Sequence, residues 1–397
     1  MKRLSTTAKV FNGVLAVAGG RRDPDRAWDK LVNQALDNTG GDLAGSEAYI
    51  ADYRFLFDCF VESDLSPLGW VSVNGEARGR LENRFRILKT IAERPEIARE
   101  RVTAPIFVTG LPRTATTLTH NIIAGSQGHR GPLLWELHYT DVEVDEATRA
   151  QRVRSVSQQT NGLLKFSPIY ELIHPLHPEK PEECVYILPH GVHQQTRATM
   201  PKYWKWLQQH DFTADYEFLK QALQVLQHGR PRARWVLKTP EHLNHLDLLV
   251  RTFPGAKVVW THRDPVTVMG SVCSLVETTS MLHQRRVDPH DVGALWLDVL
   301  SSATERGRRA QPQLPAGTVV NLPYHAVASD PASHLPGLYQ KLGATWTDLD
   351  EGRLEKVMER PIRDRRHEYT LSRYGLDPDQ VHAAFGDYQN LVAGLSR

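Results

Sequence analysis

The chain has 397 residues, 41% of them hydrophobic and 24% charged, enough to bury a full core as one large domain or two. Forty-eight basic against 46 acidic residues leave a net charge of +2, which argues against a dedicated nucleic-acid binder yet allows a local basic pocket. Cys59, Cys184 and Cys273 are too few and too scattered for a disulfide framework or a metal cage, which favours a reducing, cytoplasmic setting, and no apolar run approaches the roughly 20 residues of a membrane span.

Lys2 and Arg3 precede an apolar stretch from Val10 to Ala18. Its shortness and the Asn12-Gly13 interruption predict an amphipathic first helix rather than a cleaved leader. Asp23-Pro24 reads as a cap with Pro at the first helical position, followed by Trp28, Leu31, Val32, Ala35 and Leu36 on one side and Gly40-Gly41 as the stop. Ser46 caps an expected second helix carrying Tyr49, Tyr53, Phe57 and Phe60. A third is expected from about Glu76 to Glu93, with Leu81, Phe85, Leu88 and Ile91 at helical spacing. Residues 1–100 therefore read as a helical region packed on a core formed by residues 101–397.

The texture changes at Pro105. Ile106-Phe107-Val108 is a short apolar run that Gly110 stops before a helix with Leu118, Ile122 and Ile123. The unit recurs at Trp235-Val236-Leu237, at Val258-Val259-Trp260 before Asp264-Pro265, and at Val319-Val320-Asn321-Leu322 before Asp330-Pro331. Short buried strands alternating with helices predict an α/β fold, a three-layer α/β/α sandwich around a mostly parallel sheet of about five strands. Another helix is expected from Tyr216 to His228.

Two motifs carry chemistry. Gly110-Leu111-Pro112-Arg113-Thr114-Ala115-Thr116-Thr117 joins the first strand to its helix, where free N–H groups and the helix dipole favour phosphate or sulfate. The same loop would also serve as a polar turn whose threonines cap the helix. It departs from the nucleoside triphosphate loop G-x-x-x-x-G-K-[ST], because Ala115 and Thr116 stand where the second Gly and the Lys belong. NTP hydrolysis is therefore poorly supported. The second motif, Thr261-His262-Arg263-Asp264-Pro265, sets Arg263 at a strand's carboxyl end, where ligands of open α/β sheets gather. Ser271 follows two helical turns later, a spacing at which an arginine and a hydroxyl can hold one phosphate from two sides.

Together with GPLLWELH, KPEECVYIL, ARWVLKTPEHLNHLDLLVRTFPGAKVVWTHRDPVTVMGSVCSL and LPYHAVASDP, these segments resemble the sulfotransferases that use 3′-phosphoadenosine-5′-phosphosulfate (PAPS), particularly the bacterial type III group, over about residues 100 to 335. The resemblance implies that Arg113, Thr114, Ala115, Thr116 and Thr117 hold the 5′-phosphosulfate, and that Arg263 and Ser271 hold the 3′-phosphate with Tyr324 near the nucleotide. It implies transfer to a hydroxyl of a small-molecule or lipid-like acceptor and a homodimer; the net charge argues against nucleic acid, and with no H-E-x-x-H among the 18 histidines no metal is expected. Ala115 stands where the family has Gly.

Such transfer needs an oriented acceptor, a base for its proton, and charge stabilisation on the departing oxygen. Arg113 suits the last task. Glu136 is the first expected base by family likeness, and His242 the second, with Lys238 reaching the sulfonate; His138 is weaker. Glu182-Glu183 reads as a solvated helix start with an acceptor entrance as the alternative, and Arg363, Arg365 and Arg366 as a solvated charge cluster with a reach to the 3′-phosphate as the alternative. The competing functions are a P-loop phosphotransferase and an inactive nucleotide-binding protein of the same fold.

Overall fold

A computed structural model describes residues 3–18, 23–358 and 370–395. Caps and stops written into the sequence set its first helical layer. Helix α1 (Thr6–Ala18) is followed by α2 (Pro24–Thr39), which begins where the Asp23 carboxylate accepts from the Arg26 N–H at 3.0 Å and ends at Gly40 with φ +59°. Helix α3 (Glu47–Glu62) follows Ser46, whose side chain makes no cap bond. Helix α4 (Pro67–Glu93) starts nine residues before the expected Glu76, because Ser66 accepts from the Gly69 N–H at 2.9 Å and Pro67 fills the first position. Gly69, Gly75 and Gly79 had broken the apolar rhythm there. Gly69 is required by contact: a Cβ would lie 1.9 Å from the His283 carbonyl oxygen.

Strand β1 (Ile106–Gly110) then leads into α5 (Thr116–Ala124) and a two-residue β2 (His129–Arg130). Helices α6 (Leu134–His138), α7 (Glu146–Phe166), α8 (Tyr170–Ile173), α9 (Pro201–Leu207) and α10 (Thr213–Gln227) intervene before β3 (Arg234–Lys238). Next come α11 (Leu246–Thr252), β4 (Lys257–His262), α12 (Pro265–His283), α13 (Pro289–Ala310) and β5 (Val319–Pro323). The chain closes with α14 (Tyr324–Ala328), α15 (Pro331–Leu342), α16 (Asp348–Met358), α17 (Pro378–Phe385) and α18 (Tyr388–Leu395). The four expected apolar runs are all strands; β2 is too short to leave an apolar signature.

The five strands are parallel, in the order β2-β3-β1-β4-β5. Alternate residues face opposite helical layers. Phe107, Trp235, Leu237, Val258 and Trp260 join one apolar cluster, whereas Ile106, Val108, Val236, Val259 and Val320 join another. Both faces are therefore covered, giving the α/β/α sandwich expected. The first cluster runs without a break into α2, α3 and α4 through Trp28, Tyr53, Phe57 and Phe85. Because the chain leaves β1 toward β3 and later returns past it to β4, the carboxyl end of β1 is a topological switch point with a crevice on each side.

Arg80 of α4 couples the helical layer to that crevice. Its guanidinium donates to the carbonyls of Val185 (2.8 Å), Leu188 (3.1 Å) and Tyr186 (3.4 Å), while Nε pairs with Glu76 at 2.7 Å. Glu76 also pairs with Arg197. Burial opposes ionisation of Glu76, yet Arg197 and Arg80 outweigh it and hold its pKa well below the usual range. All three cysteines are buried as free thiols, and among the described residues no helix is long and apolar enough to cross a membrane.

Candidate active site

The loop after β1 has to leave the strand sharply. Gly110 does so at φ +137°, against β4 so closely that a Cβ would sit 2.4 Å from the Thr261 carbonyl oxygen. Arg113 and Ala115 then adopt left-handed φ of +71° and +69°. Ala115 occupies the cap position of α5 and offers no side-chain acceptor, so the helix N-terminus keeps its amide hydrogens for something else. Asp or Ser side chains cap α2, α4, α7, α12, α13, α15 and α17 instead. An uncapped N-terminus at the switch point fits the anionic end of a nucleotide. The threonines divide their work: Thr114 is buried and bonds the Leu111 carbonyl and Thr261 Oγ1, Thr116 is buried in the first turn, and Thr117 is exposed.

On the β4 side, Arg113 Nε donates to Ser271 Oγ at 3.2 Å, and Arg263 Nη1 donates to the Arg113 carbonyl at 2.9 Å. The Arg263 guanidinium lies 4.1 Å from the Tyr324 ring centroid. Arg113, Arg263, Ser271 and Tyr324, drawn from four places in the sequence, are thus one cluster beside the uncapped helix.

On the β3 side stands Lys238, at register with Val108 and 0% exposed. Its Nζ lies 3.4 Å from Thr117 Oγ1, 2.6 Å from Glu183 Oε1 and 3.3 Å from Glu182 Oε1. His174 Nε2 approaches Glu182 at 3.5 Å, and Arg113 Nη1 donates to the neighbouring Ile173 carbonyl at 2.8 Å. Burial opposes the charge on Lys238, but Glu183 and then Glu182 outweigh it and raise its pKa. Burial likewise opposes the Glu182 carboxylate, and Lys238 followed by His174 holds its pKa far down. Glu183 is bonded to Lys238 through one oxygen and is half-buried. The solvated helix start expected at Glu182-Glu183 is corrected here: burial and Lys238 put the pair beside the anion loop, the entrance alternative.

The two expected bases are placed differently. Glu136 is buried in α6 with both oxygens on Arg130, at 2.6 and 2.7 Å, and Oε2 also accepts from the Leu133 N–H at 2.9 Å. That is a structural carboxylate closing a helix start. His242 is fully buried with its ring against Phe107 and Nδ1 2.9 Å from the Tyr216 hydroxyl; burial and then His245 push its pKa down to about 3. His138 packs against Tyr186 with the rings tilted by 45° and their centroids 4.9 Å apart. Arg363, Arg365 and Arg366 lie outside the described residues.

Among the described residues two groups bring histidines and carboxylates together. His174, Glu182 and Glu183 already surround the Lys238 ammonium, and Asp215 bridges His190 and His210 by bonds of 3.0 and 2.9 Å.

Comparison with known proteins bears on this arrangement directly. The Sulfotransferase family model matches residues 105–348, more than half of the chain, which therefore belongs to that family. An omega-hydroxy-beta-dihydromenaquinone-9 sulfotransferase, Stf3, of Mycobacterium tuberculosis is 25% identical over 265 residues, 60% of this chain. Its counterpart in Mycobacterium bovis matches equally, and the match spans 62% of each relative's length. The crystal structure of sulfotransferase STF1 from Mycobacterium tuberculosis superposes with a TM-score of 0.79 at 28% identity, covering 90% of this chain and 97% of that one. Sulfotransferase STF9 from Mycobacterium avium shares the fold, with a TM-score of 0.82 at 24% identity over 91% and 96% of the two chains.

Proposed function

We propose that the chain moves a sulfuryl group from PAPS to the hydroxyl of a lipid-like acceptor, giving a sulfate ester and 3′,5′-ADP. One observation carries this reading: an uncapped helix start lies between two separate cationic groups, Arg113 with Arg263 and Ser271 on one side and Lys238 on the other. A donor with anionic groups at two ends suits such a pair of grips, and no lysine occupies the loop itself where a phosphotransferase needs one.

In this reading the amides opening α5 with Thr116 and Thr117 hold the 5′ end. Arg263 and Ser271 hold the 3′-phosphate, with Tyr324 packed under Arg263. Thr114 and Ala115 shape the loop rather than touch the donor with their side chains. Arg113 and Lys238 neutralise charge on the oxygen that keeps the electrons of the broken S–O bond. We assign the base to Glu183 in preference to Glu136 and His242. Its carboxylate is beside Lys238, it is less buried than Glu182, and neither Arg nor backbone N–H closes it off among the described residues. It takes the acceptor proton as the new S–O bond forms. Tyr170 and Tyr186 flank the acidic segment and suit an apolar alcohol; the Stf3 relatives, named for a hydroxylated menaquinone, agree with that class.

The test is transfer of labelled sulfate from PAPS into a lipid extract. Wild type should label an alcohol and Arg113→Ala should not. A protein whose melting temperature rises with ATP and Mg²⁺ but not with 3′,5′-ADP would overturn the reading.

A further inference from the structure

Helix α1 has an apolar side toward the protein and another toward solvent. Inward, Ala8 is fully buried, Asn12 Oδ1 accepts from the Leu68 N–H of α4 at 2.8 Å, and Phe11 packs on Phe166 with ring centroids 5.4 Å apart. Outward stand Val10, Val14 and Val17, at 61, 58 and 91% exposure, with Phe11, 41% exposed, at the edge between the two sides. Val71, one turn after Leu68 on α4, is 49% exposed. Five of the seven large hydrophobic residues exposed among the described residues are thus on these two packed helices; the others are Leu43 and Leu349. Clustered exposure of this kind marks a contact surface.

The charge around the stripe has one sign. Residues 1–22 contain Lys2, Arg3, Lys9, Arg21 and Arg22 and no acidic residue. Arg3 is turned inward, paired with Glu277 at 2.7 Å and donating to Thr278 Oγ1 and the Ser274 carbonyl at 2.7 Å, which pins the start of α1 to α12. Lys9 stands exposed on α1. The Ser5 N–H and the Arg3 carbonyl bond Phe166 and Ser167, the end of the segment that continues through α8 to Ile173 and Arg113. A fixed helix, apolar outside and carrying the exposed Lys9, is therefore joined to the wall of the site.

We propose that α1 with Val71 seats the protein on an anionic lipid surface, the apolar stripe entering the interface and Lys9 meeting lipid phosphates. The seating stands on α1 alone; its use in presenting an acceptor held in that surface rests on the lipid-like acceptor proposed above. A second copy of the chain is disfavoured as the occupant. Two such faces would set like charges together, and five side chains fall short of the roughly 800 Å² per partner of a stable interface.

The experiment is co-sedimentation of the full chain with phosphatidylglycerol/phosphatidylcholine vesicles and with pure phosphatidylcholine vesicles, with 3′,5′-ADP affinity as a check on the fold. Wild type should bind the anionic vesicles; Val14→Glu with Val17→Glu should weaken binding about tenfold or more. Lys9→Glu should weaken it roughly tenfold, and raised salt should act in the same direction. The overturning results are no binding by wild type, equal binding to neutral vesicles, binding untouched by the valine changes, or a dimer that those changes dissolve. If vesicles bind but only water-soluble alcohols are sulfated, the seating holds and the acceptor reading fails.

Discussion

The proposed donor half of the site stands on strand ends, and the proposed acceptor half does not. Arg113 follows β1 and Arg263 follows β4, two strands locked in register from Ile106↔Lys257 to Gly110↔Thr261. Glu182, Glu183 and His174 instead belong to an irregular stretch between α8 and α9, fixed by Lys238 from below and by Arg80 from α4. The sheet supplies rigidity to the first half through backbone hydrogen bonds. The second half depends on buried ion pairs, which hold firmly when complete and fail when one partner is lost.

The comparison is sharpened most by separating transfer from binding. Glu183→Gln should lower kcat by about 10²–10⁴ while leaving the Kd for 3′,5′-ADP unchanged. Arg263→Ala should do the reverse, raising that Kd by about 10- to 100-fold; equilibrium dialysis with steady-state assay reads both. Glu136→Gln should leave kcat within about threefold, and a large loss there would return the base to α6.

Arg80→Ala leaves three carbonyls without their partner and Glu76 with Arg197 alone, so unfolding should become easier by about 3–5 kcal/mol in a denaturant titration. A stable variant with normal transfer would show that the acidic stretch holds itself. Acid should weaken the core through buried neutral histidines. His242 and His120 have folded pKa values of about 3 and about 4, against about 6.5 unfolded. The unfolded state therefore binds more protons below pH 6.5, and stability present above that value is lost toward pH 4. By pH 5 each costs about 2 kcal/mol, visible as a falling melting temperature that His242→Gln should partly relieve. The smallest effect belongs to the loop: Ala115→Gly relieves a left-handed alanine and should stabilise by about 1 kcal/mol, with tighter 3′,5′-ADP binding.

The cluster of Arg113, Arg263 and Ser271 beside the β1 loop was legible because its determinants are local. Gly110 to Thr117 are contiguous, and Arg263 and Ser271 share one strand-helix unit, so turn chemistry and spacing reveal them. Strand runs and proline-marked helix starts likewise gave the sheet order's raw material, although not the order itself, which depends on pairings across more than a hundred residues. The acceptor half joins Lys238 to carboxylates 55 and 56 residues away, a coupling no local pattern carries. Glu136 attracted attention through family likeness. The opposing signal was present nearby: a Glu at the third position of a short helix, six residues after Arg130, is placed to bond the helix start. Trp135 and Trp204, close to these segments in the sequence, are core residues, and Trp204 donates to Asp298.

The grip of Arg80 on Val185, Tyr186 and Leu188 has a consequence for how such an enzyme diversifies. Changes at the packing surface of α4 would tilt that guanidinium and re-aim the stretch it carries, altering which alcohol is accepted. The strands beneath would not need to move. Selectivity can therefore be inherited, lost and regained in residues that never meet a substrate, while the chemistry common to all acceptors stays where it is.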